Sequence, residues 1–172
     1  MFIAQLLRAP RGAPDFLDIA RRLLQLLATC LLPGLVAAEE GVTRRLVIGD
    51  FSNVREALVE AIEAEGLVVG AVLPIDAMLA RTAGDLGRGA SPFARVEVVQ
   101  FCSSALAWEL LAEDAVQIAL CPLSITVYAL AAEPGQVTLA YRRPGRATPG
   151  RIRAENLLHR LVDRSGELAR WR

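Results

Sequence analysis

Lysine is missing from the 172-residue sequence, and all 19 basic residues are arginine. That excludes a phosphate-binding loop built on its lysine, and no glycine spacing of that loop or of a dinucleotide fingerprint is present. Histidine occurs once, as His159, so zinc sites that need two or more imidazoles from one chain are ruled out. Aromatics make up only 5% of residues, and Trp108 on an expected helix reads as a core or dimer contact rather than a stacking platform. No CxxC pair occurs, and no metal site is assigned. The longest apolar stretch, Leu23 to Ala38, is shorter than the roughly 20 residues that span a bilayer, which argues against a permanent transmembrane helix.

What is present suffices for one domain. Hydrophobic residues are 53% of the chain, enough for a single core at this length but not for two ordinary domains. The formal net charge of +0 conceals an asymmetry, because residues 39–141 carry 6 Arg against 14 acids while residues 142–172 carry 9 Arg against 3. A basic tail can meet nucleic acid or anionic lipid. Here its spacing suits a solvated helix that pairs with the acidic body, and no nucleic-acid partner is expected.

Residues 1–38 read as an export signal. Arg8, Arg11, Arg21 and Arg22 precede the apolar run Leu23 to Leu32, Pro33-Gly34 follows, and Val36-Ala37-Ala38 offers compact side chains to a signal peptidase. Cleavage is expected between Ala38 and Glu39, leaving a periplasmic or secreted domain of residues 39–172 with no transmembrane segment. Arg21-Arg22 faintly resembles a twin-arginine signal. Leu27-Ala28-Thr29-Cys30 resembles a lipoprotein box, except that Thr29 is too large for its position.

The periodicity then predicts a strand over Val42–Ile48 and a helix capped by Ser52 or Asn53, whose buried stripe is Val54, Ala57, Leu58, Ala61 and Ile62 and whose wet face includes Arg55. Leu67–Leu73 is an almost wholly apolar strand, expected at the centre of the sheet. A short helix runs from Pro74 to Gly84, a glycine-rich loop follows over Asp85–Pro92, and Ala94–Phe101 is the next strand. Ser103 or Ser104 caps a helix over Ala105–Glu113. Strands are expected at Val116–Leu120, Leu123–Leu130 and Val137–Arg142, the last two joined by a type II turn at Glu133-Pro134-Gly135-Gln136. A final amphipathic helix over Ile152–Arg164 buries Leu157, Leu158, Leu161 and Val162. The order β-α-β-α-β-α-β-β-β-α implies an α+β, two-layer sandwich with a mixed sheet and its helices largely on one face.

Chemistry can sit in few places. Cys102 closes the strand Ala94–Phe101 and Cys121 the strand Val116–Leu120, so the sulfurs can meet if those strands lie side by side, and in an exported protein two such thiols form a disulfide, remain separate, or serve redox or ligand chemistry. A bridge would close a loop of about 20 residues, worth roughly 3 kcal/mol in the chain-entropy model. The helix N-terminus after Cys102 carries positive partial charge that favours a thiolate. Arg81, Thr82 and Asp85 form a polar cluster at the second helix and are the binding candidates, expected to border the same sheet margin as the cysteines. The sole His159 sits on the last helix, remote in sequence from the cysteines and loops.

Met78-Leu79, Arg81-Thr82, Asp85, Gly87, Phe101-Cys102-Ser103, Cys121-Pro122 and Tyr128 together resemble exported members of the domain-of-unknown-function family numbered 302. The resemblance implies a compact α+β sandwich, often dimeric, with no established reaction, cofactor or catalytic residue to carry over. Leu123 and Ala115 depart from the family pattern around the loop before Cys121. The expectation is a periplasmic binding or interaction module taking a small ligand, a protein partner or a second copy of itself. The alternative is a thiol-dependent redox protein using Cys102 and Cys121.

Overall fold

The computed structural model describes residues 41–172. The export signal read at residues 1–38, its cleavage point and Cys30 lie outside them. Strand β1 (Val42–Ile48) passes into helix α1 (Phe51–Ala64) through Asp50, whose carboxylate accepts from the backbone N–H groups of Ser52 and Asn53. The cap is thus Asp50 rather than Ser52 or Asn53, two to three residues earlier than expected. Next come β2 (Val68–Pro74), α2 (Ile75–Thr82), β3 (Phe93–Cys102), α3 (Ser104–Glu113), a 3-10 turn at Ala115–Leu120, β4 (Leu123–Leu130), β5 (Gln136–Arg142) and α4 (Pro149–Ala169).

The five strands form one sheet in the order β1-β5-β4-β3-β2, with every neighbouring pair antiparallel. The α+β sandwich and its succession of elements follow the sequence reading. The sheet, however, is uniformly antiparallel rather than mixed: β1 and β2, joined through α1, run in the same direction but lie at opposite edges and do not pair. Alternation along the strands sends Val47, Val99, Phe101, Ile125, Val127, Val137 and Leu139 to one face, where they meet Val54, Leu58 and Ile62 of α1, Leu106 and Leu110 of α3, and Leu158, Leu161 and Val162 of α4. Each such side chain stabilises the fold by roughly 1.5–3 kcal/mol on burial.

Val116–Leu120 is not a strand. Asp114 caps this segment by accepting from Val116 N at 3.0 Å, and Cys121 N closes it onto Ile118 O at 2.9 Å. Val116 and Ile118 point outward while Gln117 is buried, so the polar residue, not the apolar pair, is the inward one. Gln117 donates to Glu113 and accepts from Arg151, which locks the turn against the start of α4.

Strand β2 lies at the edge of the sheet, not at its centre. Leu67 and Val69 pack on the core, but Val68 is 75% exposed and Val72 and Leu73 are exposed as well. The register shifts between Val69 and Ala71, around Gly70, and the strand ends on Pro74, which has no N–H to give a further neighbour. Trp108 is likewise 74% exposed and takes no part in the core.

Glu97 faces the helices and is buried. Arg95 donates to its carboxylate at 2.8 Å and Arg55 approaches at 3.6 Å, so the charge is neutralised where it enters the core margin. Arg95 also lies over the Phe51 ring at 4.7 Å. The type II turn is present as expected, with Gly135 at φ +78° and Gln136 N bonded to Glu133 O.

Helix α4 is longer than its periodicity implied. Thr148 caps it by accepting from Arg151 N, and it runs past Gly166 to Ala169. Gly166 does not fray the helix; it is buried, and the Arg45 guanidinium lies against it, 2.9 Å from where a Cβ would sit. The arginines of the basic tail meet the acidic body: Arg153 pairs with Glu109, Arg160 with Glu65, and Arg172 with Glu56 and Glu60, while Arg143 pairs with Glu155 within the tail itself.

Candidate functional site

The register of β3 against β4 pairs Phe101 with Leu123, so the residues just beyond, Cys102 and Cys121, stand at adjoining strand ends. Both are free thiols; Cys102 is exposed and Cys121 is half-buried, packed against the main core. The peptide bond from Cys121 to Pro122 is cis. Burial pushes the Cys121 thiol above its ordinary value of 9.0, and the neighbouring Cys102, through its charge and a hydrogen bond between the side chains, pushes it further. The two thiols are unbridged neighbours at this margin of the sheet.

Next to this pair a cleft of about 320 Å³ opens between α3 and α4, at the small end of the range typical of ligand sites. Ser103, the residue after Cys102, lines it and also caps α3 by accepting from Leu106 N at 3.3 Å. Leu67, Leu106 and Leu157 supply its apolar lining, while Arg153, Asn156 and Arg160 come from one side of α4 and Glu65 and Glu109 from α1's end and α3. The spacing 153, 156, 157, 160 is one face of a helix, which is why a single element presents two guanidinium groups and a carboxamide to the same space. Arg153 pairs with Glu109, and Arg160 with Glu65 at 3.4 Å. All four charges are on accessible side chains, so a ligand can exchange with these contacts at small cost.

Glu113 braces the same pair of helices at their far end. Its carboxylate accepts from Thr148 Oγ1 at 2.5 Å, from Gly150 N at 2.6 Å and from Gln117 Nε2 at 3.0 Å, and these contacts, that of Thr148 foremost, hold it below its ordinary value of 4.5. Gly150 has no room for a side chain, since a Cβ would lie 2.8 Å from Glu113 Oε2 and 3.0 Å from Leu110 Cδ2.

The polar cluster at α2 lies elsewhere. That helix follows Pro74, which pairs with Glu97, while Cys102 pairs with Val68 at the other end of β2. About five residues of strand, roughly 17 Å, separate the two ends, so Arg81, Thr82 and Asp85 do not border the cysteine margin. Thr82 Oγ1 is turned back onto its own helix, donating to Met78 O at 3.0 Å, and Arg81 and Asp85 are exposed. His159 is on the solvent side of α4 with its Nε2 at 3.3 Å from Asp163, which also holds Arg45. Neither cysteine is its partner. Sequence reasoning missed the cleft because its residues come from three separate segments; the only local signal was the basic 153/156/157/160 spacing on α4.

The model of DUF302, a domain of unknown function, matches residues 43–164. The chain belongs to the DUF302 family. The matched span holds both Cys102 and Cys121 and all the residues that line the cleft. Among solved structures, the chain is similar to an uncharacterized conserved DUF302 protein from Bacillus stearothermophilus, at a TM-score of 0.58 and 18% identity, over 73% of this chain and 98% of that one. At that identity the likeness concerns the fold. No curated protein matches.

Proposed function

We propose that this DUF302 domain is a binding module of the periplasm or another exported compartment, with its ligand seated in the α3–α4 cleft. The observation that carries the reading is the placement of Arg153, Arg160 and Asn156 around an apolar floor of Leu67, Leu106 and Leu157. Guanidinium groups in fork geometry recognise carboxylate and phosphate oxygens, and Glu65 and Glu109 opposite them suit an ammonium on the same ligand. A small carboxylate, zwitterionic or not, is the ligand class. Calorimetric titration with glutamate, citrate and inorganic phosphate tests it. At least one of the carboxylates should bind, and Arg153→Ala and Arg160→Ala should each weaken it about tenfold or more. Binding by both variants as tight as that of the wild type would remove the cleft as the seat. Intact-mass measurement of the exported protein tests the compartment, since a species retaining residues 1–38 contradicts export with cleavage.

A second reading rests on the free thiols of Cys102 and Cys121 at adjoining strand ends. Exchange with a disulfide-bearing partner would join the two sulfurs, pass two electrons to the partner's disulfide and release it as two thiols. A pair that cycles within the range of glutathione buffers supports this reading, and one that stays oxidised throughout marks a structural bridge.

A further inference from the structure

We propose that Cys102 and Cys121 form a two-coordinate site for a soft d10 metal ion, of the class of copper(I) and silver(I). The strand register brings the two residues to adjoining ends of β3 and β4, and both thiols are free. One is exposed and gives an ion access; the other is packed on the core and fixed in place. Among the described residues no group of three or more His, Cys, Asp or Glu side chains is arranged to hold a metal. That decides the class of ion. Zinc takes four ligands in structural sites and at least three from protein in catalytic ones, whereas copper(I) and its analogues are selected by soft sulfur ligands and are satisfied by two of them in a line.

Binding balances simply: one monovalent ion displaces the protons of two thiols, giving an anionic bis-thiolate and two protons, with no change of oxidation state. The thiolate is the ligand form, and metal affinity therefore rises with pH as the protons are released more easily. The site lies beside the cleft, with Ser103 between them, but its chemistry does not depend on a ligand there.

The test uses the full chain with Cys30→Ser, so that the only thiols are the proposed pair, kept reduced and free of oxygen. Silver(I) is titrated directly and copper(I) in competition with bathocuproine disulfonate. The expected result is one ion per chain, about two protons released at neutral pH, and a loss of affinity beyond 100-fold in Cys102→Ser and in Cys121→Ser, since removing a ligand costs more than the 10–100-fold typical of removing a residue that merely supports one. Should a serine variant fail to fold, the folded protein with both thiols alkylated replaces it and should bind nothing. Retained binding in either serine variant or after alkylation overturns the proposal. So does one ion shared by two chains, zinc bound as tightly as copper(I), or a pair that cannot be held reduced.

Discussion

The two ends of strand β2 differ in what surrounds them. At Val68 the strand begins beside Cys102, and the end of α1, the first turns of α3 and one face of α4 converge on a cleft. At Pro74 it runs straight into α2, a helix without a buried residue. Both ends carry polar side chains that look equally suggestive in the sequence. Only the first is backed by packed elements on several sides, and a binding surface needs that backing, because side chains held by a rigid frame lose less entropy when they engage a ligand.

The contrast breaks most visibly in the core behind the first end. Leu58 is fully buried in the middle of α1, and Leu58→Asp should abolish folding, since an unpaired buried charge costs several kcal/mol against a typical total stability of about 5–15. Met78→Asp on the exposed side of α2 should change stability by no more than about 0.5 kcal/mol. Comparable melting temperatures for the two variants would erase the difference between the ends.

Gly150→Ala comes next. Its Cβ would press on Glu113 and Leu110, and a loss of about 1–3 kcal/mol in denaturant unfolding is expected. Arg55→Asp also destabilises, by about 1–2 kcal/mol, because it sets a carboxylate against the buried Glu97 that Arg55 now faces. The periodicity alone made Arg55 an inert surface position, so a silent Arg55→Asp would favour that simpler view.

Acid sharpens the picture. Glu113 has its carboxyl held below 4.5 in the fold by Thr148, Gly150 and Gln117, so the charged form is favoured in the native state. Its stabilisation is present above the unfolded value and is lost as pH falls from about 4.5 through the lower folded value. Melting curves of wild type and Glu113→Gln should differ at neutral pH and converge in acid; a constant gap would mean that the carboxylate's charge is irrelevant. The smallest effect is chemical. Cys102 should be alkylated several-fold faster than Cys121 near pH 8, read by peptide mass, because burial and the neighbouring sulfur hold Cys121 protonated.

Much of the frame was legible in the residues. The stripe at Val54, Leu58 and Ile62, the Pro134-Gly135 turn and the Ser103 cap rest on local rules, in which sequence spacing fixes side-chain direction over a few ångströms. Errors arose where the same local pattern serves two environments. An apolar run suits a central strand or an edge strand alike, and β2 was separable only by Gly70 and Pro74. Val116 and Ile118 alternate as a strand would, yet Gln117's partners on α4 decide that the polar side chain turns inward.

By itself the sequence determined the α+β class, the positions of the principal helices and strands, the pairing of a basic last helix with an acidic body, and the membership in one family through residues along much of the chain. Tertiary structure alone decided strand order, the burial of Glu97 between Arg55 and Arg95, the placement of Cys102 and Cys121 at adjoining strand ends, and the cleft between α3 and α4. The physical reason is range: periodicity, caps and turns act over a handful of neighbouring residues, whereas Glu65, Ser103 and Arg160 share one space only after the sheet has set where each helix ends.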